Sequence, residues 1–185
     1  DLVDYIRFPH NRNPQEKIEC AGGRNFLSAT HTGQKAEMIA LARGSVHSHM
    51  PVQHWMFSWQ EGEQPTREQV EEVGDLFLEK MEMTEHQTVY GLHYDTDNYH
   101  LHIAVNRMNP ETGKVVLPFN GLDIREAHKI VAFVEHKQGW ASEENPLYAV
   151  LENGELARRR TTREIKPKQA ALDFEHATGE KSAQR

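Results

Sequence analysis

The sequence predicts an α+β domain, with a central antiparallel sheet and helices packed on one of its faces. Three features of the 185 residues indicate this class. The stretch "VQHWMFSWQ" alternates between aromatic and mostly polar residues, which is the period of a half-buried strand. Two more strand-like segments, 87–95 and 99–107, flank a short Thr-Asp-Asn connection that favours antiparallel pairing. Segments with apolar residues at helical spacing lie before, between and after these strands, so that each can bury one face against the sheet.

The first part of the chain contains two predicted helices. "DLVDYIRF" forms a short helix that ends before Pro9, because proline disfavours helical geometry in the residue that precedes it. "PHNRNPQEK" is a loop by its Pro and Asn content. A longer helix is predicted over 33–43, with Thr32 as its N-cap and Gly44 as its end.

The strand "VQHWMFSWQ" sorts its side chains onto two faces. Trp55, Phe57 and Trp59 fall on one face, and the other face carries His54, Met56 and Ser58. If the aromatic residues belong to the core, the opposite face is the one on which a functional site would lie.

Two further helices follow. Thr66 and Gln69 have the spacing of a capping box at the start of "TREQVEEVGDLFLEKM". Asp123 and Glu126 cap the other helix, which Gly139 ends. "VVLPF" reads as an edge strand, and the remainder from about residue 141 is less regular, with a helix predicted in "KQAALDFEHA". We therefore expect a main domain over 1–150 and a basic, polar, partly helical extension over 151–185.

Composition excludes several classes of protein. Cys20 is the single cysteine, so no internal disulfide forms, and a reducing cytoplasm is compatible. No apolar run approaches the roughly 20 residues of a membrane span. A net charge of −7 argues against nonspecific coating of nucleic acid, but "ARRRTTREIKPK" provides a local basic patch. That patch is either a surface that binds one DNA strand or a solvated tail.

The stretch "HYDTDNYHLHIAVN" concentrates histidines within a predicted hairpin. If Thr96 and Asp97 form a two-residue turn, His93 lies opposite His100, and Gly91 lies opposite His102. The three imidazoles then project from one face, with cross-strand Cβ atoms about 5 Å apart. Three converging imidazoles predict a site for a divalent metal with positions left open for substrate.

Other interpretations of this hairpin stay open at this point. The histidines could be exposed polar residues, and a register slip of one residue would turn His93 to the other face. Asp95 shares the face of His93 and either orients an imidazole or forms the turn. A cupin-type metal oxygenase also uses His-x-His in a strand, and a DNA-binding module could hold structural zinc with the same three side chains.

The motif "HYDTDNYHLHIAVNRMNP" resembles the metal-binding motif of conjugative relaxases, the plasmid TraI/MobA-type (MOBP class) mobilisation nucleases of the HUH endonuclease superfamily. Two more stretches are similar to relaxase motifs and occur in the expected order. "DLVDYI" resembles the nucleophile motif, and "HWMFSWQEGEQP" resembles the middle motif, in which a serine contacts DNA beside the nick. Relatives begin with a strand before the tyrosine helix, which is absent here, so the chain is expected to be truncated or numbered from a later residue.

The resemblance implies a role for each matching residue. Tyr5 would be the nucleophile, and Ser58 would contact DNA. The three histidines would bind Mg²⁺ or Mn²⁺, with zinc as a substitute in crystals, and the metal and tyrosine would share the sheet face opposite the helices. The basic stretch becomes the candidate for binding DNA. Three other side chains are candidates for the base or for orienting the metal ligands, although a structural or solvated role is the more common one for such residues. These residues are Arg158, Arg159 and Arg160 for DNA, and Glu63, Asp95 and His54 for the supporting roles.

The reaction that the resemblance implies is site- and strand-specific nicking of transfer-origin DNA. Tyr5 would form a 5′-phosphotyrosyl link and release a 3′-hydroxyl, which begins conjugative transfer. The expected partners are single-stranded origin DNA, accessory relaxosome proteins and a coupling protein of a type IV secretion system, with no membrane association. We expect a monomer that works in the bacterial cytoplasm and travels with the DNA into the recipient cell.

Overall fold

The computed structural model describes residues 1–11, 17–45, 50–94, 98–116, 122–144 and 146–159. Its elements confirm the α+β class. In chain order they are α1 (Leu2–Arg7), a 3₁₀ turn (Pro9–Asn11), β1 (Lys17–Arg24), α2 (His31–Arg43), β2 (Val52–Ser58), α3 (Arg67–Lys80), β3 (Thr88–Tyr94), β4 (Tyr99–Asn106), α4 (Leu122–Gln138), β5 (Tyr148–Val150) and β6 (Leu156–Arg158).

A four-stranded sheet in the order β1-β3-β4-β2 forms the centre of the fold, and each neighbouring pair is antiparallel. The pairing of β3 with β4 confirms the register predicted from the sequence, with His93 opposite His100 and Gly91 opposite His102. β2 extends the sheet beyond β4 and places Ser58 opposite His100. The histidines and Ser58 therefore lie at neighbouring positions on three strands.

One face of the sheet packs against α3. The ring of Phe77 in α3 lies 5.3 Å from Trp55 and 5.6 Å from Phe57, measured between centroids. Phe57 pairs with Leu101 in β4, which is fully buried. The predicted capping box is present, with Thr66 accepting from the Gln69 N–H and the Gln69 side chain accepting from the Thr66 N–H. The aromatic side chains of β2 are thus core residues, as the alternation predicts.

The opposite face carries the histidines together with α1 and α2. Val3 and Ile6 of α1 and Met38 of α2 form a buried cluster with Val89 and Ala104 of the sheet. Helices therefore lie on both faces, whereas the sequence predicted them on one. Periodicity shows that each helix has an apolar stripe but does not show which face of the sheet covers it.

Two local features differ from the sequence analysis. β1 was not predicted, since "IECAGG" has few residues that favour strands. Its glycines have a packing reason, since a Cβ on Gly22 would lie 2.4 Å from the ring of Tyr90 in β3. α2 begins at His31 rather than Gly33, and its N-cap is Thr30, which accepts a hydrogen bond from the Gly33 N–H.

The chain divides into two compact units, Asp1–Ile130 and Val131–Arg185. The second contains the β5–β6 hairpin, which was not predicted and pairs Val150 with Leu156. Gly139 follows α4 with a φ of +77°, as expected of a helix-ending glycine. Val115 of the predicted edge strand makes an isolated bridge to Met108.

Some predictions fall outside the described residues, among them the helix in "KQAALDFEHA" and the two-residue turn at Thr96 and Asp97. The proposed boundary near residue 150 stays a prediction. None of the helices in the described part of the chain is both long and apolar enough to span a bilayer.

Candidate active site on the histidine face

Tyr5 lies beside two of the predicted metal ligands. Its ring is edge-on to His93 at 5.2 Å and to His102 at 5.3 Å between centroids. The side chain is half-buried and packs along the edge of the core that Ile6 and Val3 form beneath α1. Tyr5 lies far from the β3–β4 hairpin in sequence, and the fold brings its ring into contact with the histidines of that hairpin.

The backbone of α1 rests directly on β3. Nε2 of the fully buried His93 donates a hydrogen bond of 2.8 Å to the carbonyl oxygen of Ile6. A Cβ on Gly91 would lie 2.3 Å from that same carbonyl oxygen, so only glycine permits this approach. The helix that carries Tyr5 fills the space above Gly91.

Polar contacts to α2 hold α1 from the side. Asp4 accepts from Lys35 Nζ at 2.5 Å and lies 3.0 Å from His31 Nε2. Arg7 donates to the side-chain oxygen of Gln34, whose amide nitrogen donates to the Ser28 carbonyl. Hydrogen bonds from Lys35 and His31 lower the pKa of Asp4 to about 2. The sequence gives no signal for these pairs, because they join residues about thirty positions apart.

We expect this lowered pKa to appear as a pH-dependent contribution to stability. A carboxylate whose pKa falls on folding stabilises the fold above its unfolded pKa of 3.8 and loses that contribution as the pH falls towards 2. Asp4→Asn should therefore lower the free energy of unfolding at pH 7 by about 0.5–1 kcal/mol, since the carboxylate is partly exposed and screened. Urea unfolding at pH 7 and at pH 3 measures the difference, which should shrink at the lower pH.

Glu61→Gln, at an exposed carboxylate, is the matched control and should change stability at neither pH. A deficit in Asp4→Asn that is equal at pH 7 and pH 3 would contradict the assignment.

The histidines form a connected polar cluster with two residues of β2. His102 Nδ1 lies 2.9 Å from His54 Nε2, and the two rings stack. His100 Nδ1 lies 2.8 Å from the hydroxyl of Ser58. Burial, followed by the charges of neighbouring histidines, lowers the pKa of His102 to about 3. His102 is therefore neutral at physiological pH, the state in which an imidazole binds a metal.

The donor set fits a divalent metal in its chemistry. Each of the three predicted ligands has one ring nitrogen in a hydrogen bond to another protein group, an arrangement that fixes ring orientation in metal sites. The rings of His93 and His102 are 4.3 Å apart, and those of His100 and His102 are 6.4 Å apart. Among the described residues, however, no three histidine, cysteine or carboxylate side chains are grouped closely enough to hold an ion in this arrangement.

The remaining predicted residues are distributed differently. Glu63 accepts a hydrogen bond of 3.0 Å from the Gln60 N–H, in the turn that follows β2. Arg158 and Arg159 are exposed and belong to the second unit, where the Arg159 N–H donates to the Leu147 carbonyl. Asp95 and Arg160 lie outside the residues that the structure describes.

Met56 belongs to the same face but was not predicted as a site residue. It pairs with His102 across the β2–β4 ladder and is 56% exposed. An exposed apolar side chain therefore lies directly beside the polar cluster. The alternation of β2 could have identified it.

Comparisons with known proteins agree with the motifs. A sequence profile of the relaxase family, described as MobA/VirD2-like, nuclease domain, matches residues 5–140. The MobA protein of Acidithiobacillus ferrooxidans is 52% identical over 151 residues, which cover 80% of this chain and 37% of that protein. A TraI protein of Escherichia coli is 33% identical over 120 residues, covering 64% of this chain and 16% of the relative.

The chain therefore spans only a minor part of these curated relatives. No solved structure gives a significant match. The family profile nevertheless covers most of the chain, including Tyr5, β2 and the histidine hairpin. This protein belongs to the MobA/VirD2-like relaxase family, whose nuclease domain it carries.

Proposed function

We propose that this domain nicks one strand of transfer-origin DNA by transesterification, with Tyr5 as the nucleophile. The observation that carries the proposal is the position of the Tyr5 ring against His93 and His102. A tyrosine packed only for stability needs no such neighbours, whereas a nucleophile needs its phosphate bound within reach of its oxygen.

In the proposed step, the phenol oxygen of Tyr5 attacks the scissile phosphorus and loses its proton as the new bond forms. The bond from phosphorus to the 3′ oxygen breaks and that oxygen takes up a proton, which leaves a 5′-phosphotyrosyl link and a free 3′-hydroxyl. One phosphodiester replaces another, so the strand can be rejoined by the reverse reaction without ATP.

His93, His100 and His102 are the residues that would hold a divalent metal. Such an ion, Mg²⁺ or Mn²⁺, would offset the negative charge that develops on the phosphate oxygens. The protein's own contribution is orientation, since the Ile6 carbonyl, the His54 ring and the Ser58 hydroxyl each engage one of the three imidazoles.

DNA would lie across the histidine face. Ser58 and Met56 are exposed there, beside the proposed metal ligands. Because the net charge is acidic, phosphate binding needs local positive charge. We expect these phosphate contacts to come from Arg158, Arg159 and Arg160. Accessory relaxosome proteins, a coupling protein and transfer of the relaxase into the recipient cell follow from the proposed role.

The metal assignment is tested by removing single ligands. His100→Ala should lower Mn²⁺ affinity by about tenfold or more and reduce nicking in parallel, because each ligand contributes directly to binding. His102→Ala should act the same way. Isothermal titration with Mn²⁺ and gel assays of origin-derived single-stranded DNA measure the two effects.

His136→Ala, at an exposed position in α4, is the control and should leave both unchanged. Metal affinity and nicking that persist undiminished in both ligand variants would contradict the assignment. Unfolding of the unmodified domain by a chelator would instead support the structural-zinc alternative.

A further inference from the structure

An open groove of about 730 Å³ lies at the end of the sheet away from the histidine cluster. Its walls come from the segment after β1, from α2, from the segment before β3 and from the segment after β4. Gln87, one of the lining residues, immediately precedes β3 and lies six positions before His93, which places this part of the groove about 20 Å from that histidine. A ligand bound here leaves the proposed nicking site accessible.

The groove is acidic. Glu37, Glu85 and Glu111 contribute to its walls, and no lysine or arginine is among the described residues that line it. Glu85 and Glu111 are exposed at its rim. This charge repels DNA phosphates and favours a cationic ligand.

Gln87 supplies an independent indication of a ligand. Its side chain is only 5% exposed, and Oε1 has no hydrogen-bond partner among the described residues. A buried amide oxygen without a donor is destabilising, so such atoms are normally satisfied. A ligand N–H in the groove, with a small turn of the amide, would satisfy it.

An exposed leucine, Leu27, lies beside the acidic wall of the groove. Leu27 is 99% exposed, although it lies in a loop whose backbone is fixed. The two carboxylate oxygens of Glu37 accept hydrogen bonds from the N–H groups of Leu27 at 2.9 Å and Ser28 at 2.7 Å. Glu37 therefore fixes the backbone that carries Leu27. A partner that packs on Leu27 then loses little conformational entropy of this loop on binding.

We propose that this groove binds a basic, leucine-bearing segment of a partner protein. An arginine or lysine side chain of the segment lies between Glu85 and Glu111 and donates to Gln87 Oε1, while its leucine packs on Leu27. The groove lies at the end of the sheet away from the histidine cluster, so we expect the partner and single-stranded DNA to bind at the same time. This assignment does not depend on the identity of the nucleophile.

The probe for this site is a short synthetic peptide of arginine, leucine and glycine, titrated into the ¹⁵N-labelled protein. We expect weak, saturable binding with a Kd on the order of 100 μM, because a short flexible peptide loses much entropy on binding. Chemical-shift changes should be confined to residues 25–27, 37–41, 85–87 and 110–111 and to the side-chain amide of Gln87. Binding should weaken at high salt.

Matched variants separate this site from general charge attraction. Glu85→Gln with Glu111→Gln should weaken the peptide about tenfold, whereas Glu61→Gln with Glu144→Gln removes the same charge elsewhere and should change nothing. Gln87→Met removes the unpaired oxygen at similar volume, and should weaken the peptide about threefold while leaving stability to urea equal or higher.

Three results would overturn the proposal. One is equal binding of a charge-reversed peptide with glutamate in place of arginine. The second is an equal effect of the two double variants. The third is movement of the same groove signals by single-stranded DNA, which would assign the groove to nucleic acid.

Discussion

Tyr5→Phe is expected to eliminate the covalent protein–DNA adduct while leaving DNA binding within about twofold of the unmodified domain. Phenylalanine keeps the ring that packs edge-on to His93 and His102 but removes the only atom that attacks phosphorus in the proposed step. Denaturing gels of origin-derived single-stranded DNA incubated with the domain and Mn²⁺ measure the adduct, and fluorescence anisotropy measures binding.

Tyr99→Phe is the matched control, because Tyr99 adjoins His100 in β4 and so points to the opposite face of the sheet. The control should form the adduct at an unchanged rate. An undiminished adduct in Tyr5→Phe would reject the nucleophile assignment, and loss in both variants would indicate a nonspecific effect on the hairpin.

Gly91→Ala is expected to be the most damaging single methyl addition in the sheet. Its Cβ would lie 2.3 Å from the Ile6 carbonyl oxygen, against an ordinary contact of about 3.3 Å, and backbone cannot turn aside as a flexible side chain can. α1 must therefore move away from β3, which weakens the His93 hydrogen bond. We expect a loss of about 1–3 kcal/mol in stability and a fall in nicking of about a hundredfold, because displacement of a nucleophile by about 1 Å has effects of that size.

Gly74→Ala provides the comparison, since it adds the same methyl group in α3 with only Arg24 nearby, at 3.9 Å. A helical Gly-to-Ala change should leave stability unchanged or raise it by up to about 1 kcal/mol, with nicking unchanged. Equal behaviour of the two alanine variants would show that close contact at Gly91 does not position Tyr5.

Features set by local alternation could be predicted from the sequence. The turn length fixes which residues of β3 and β4 face each other, so the pairing of His93 with His100 followed directly. The same period placed Ser58 on the histidine face, where it contacts His100. These are properties of consecutive residues, and they require no knowledge of tertiary structure.

Features that depend on distant contacts were not predictable in this way. The glycines of β1 weaken its strand signal, and their purpose is visible only once the Tyr90 ring lies above Gly22. The contact of Asp4 with Lys35 joins two helices whose sequences do not indicate their common face. The packing of α1 over Gly91 is likewise visible only in the folded chain.

The central claim is that Tyr5 becomes bonded to DNA, and mapping the adduct tests it most directly. After nicking, nuclease trimming and trypsin digestion, mass spectrometry should find the nucleotide on the peptide that ends at Arg7, with fragment ions that place the added mass on Tyr5. A nucleotide located on any other tyrosine, or on a serine or histidine, would contradict the account.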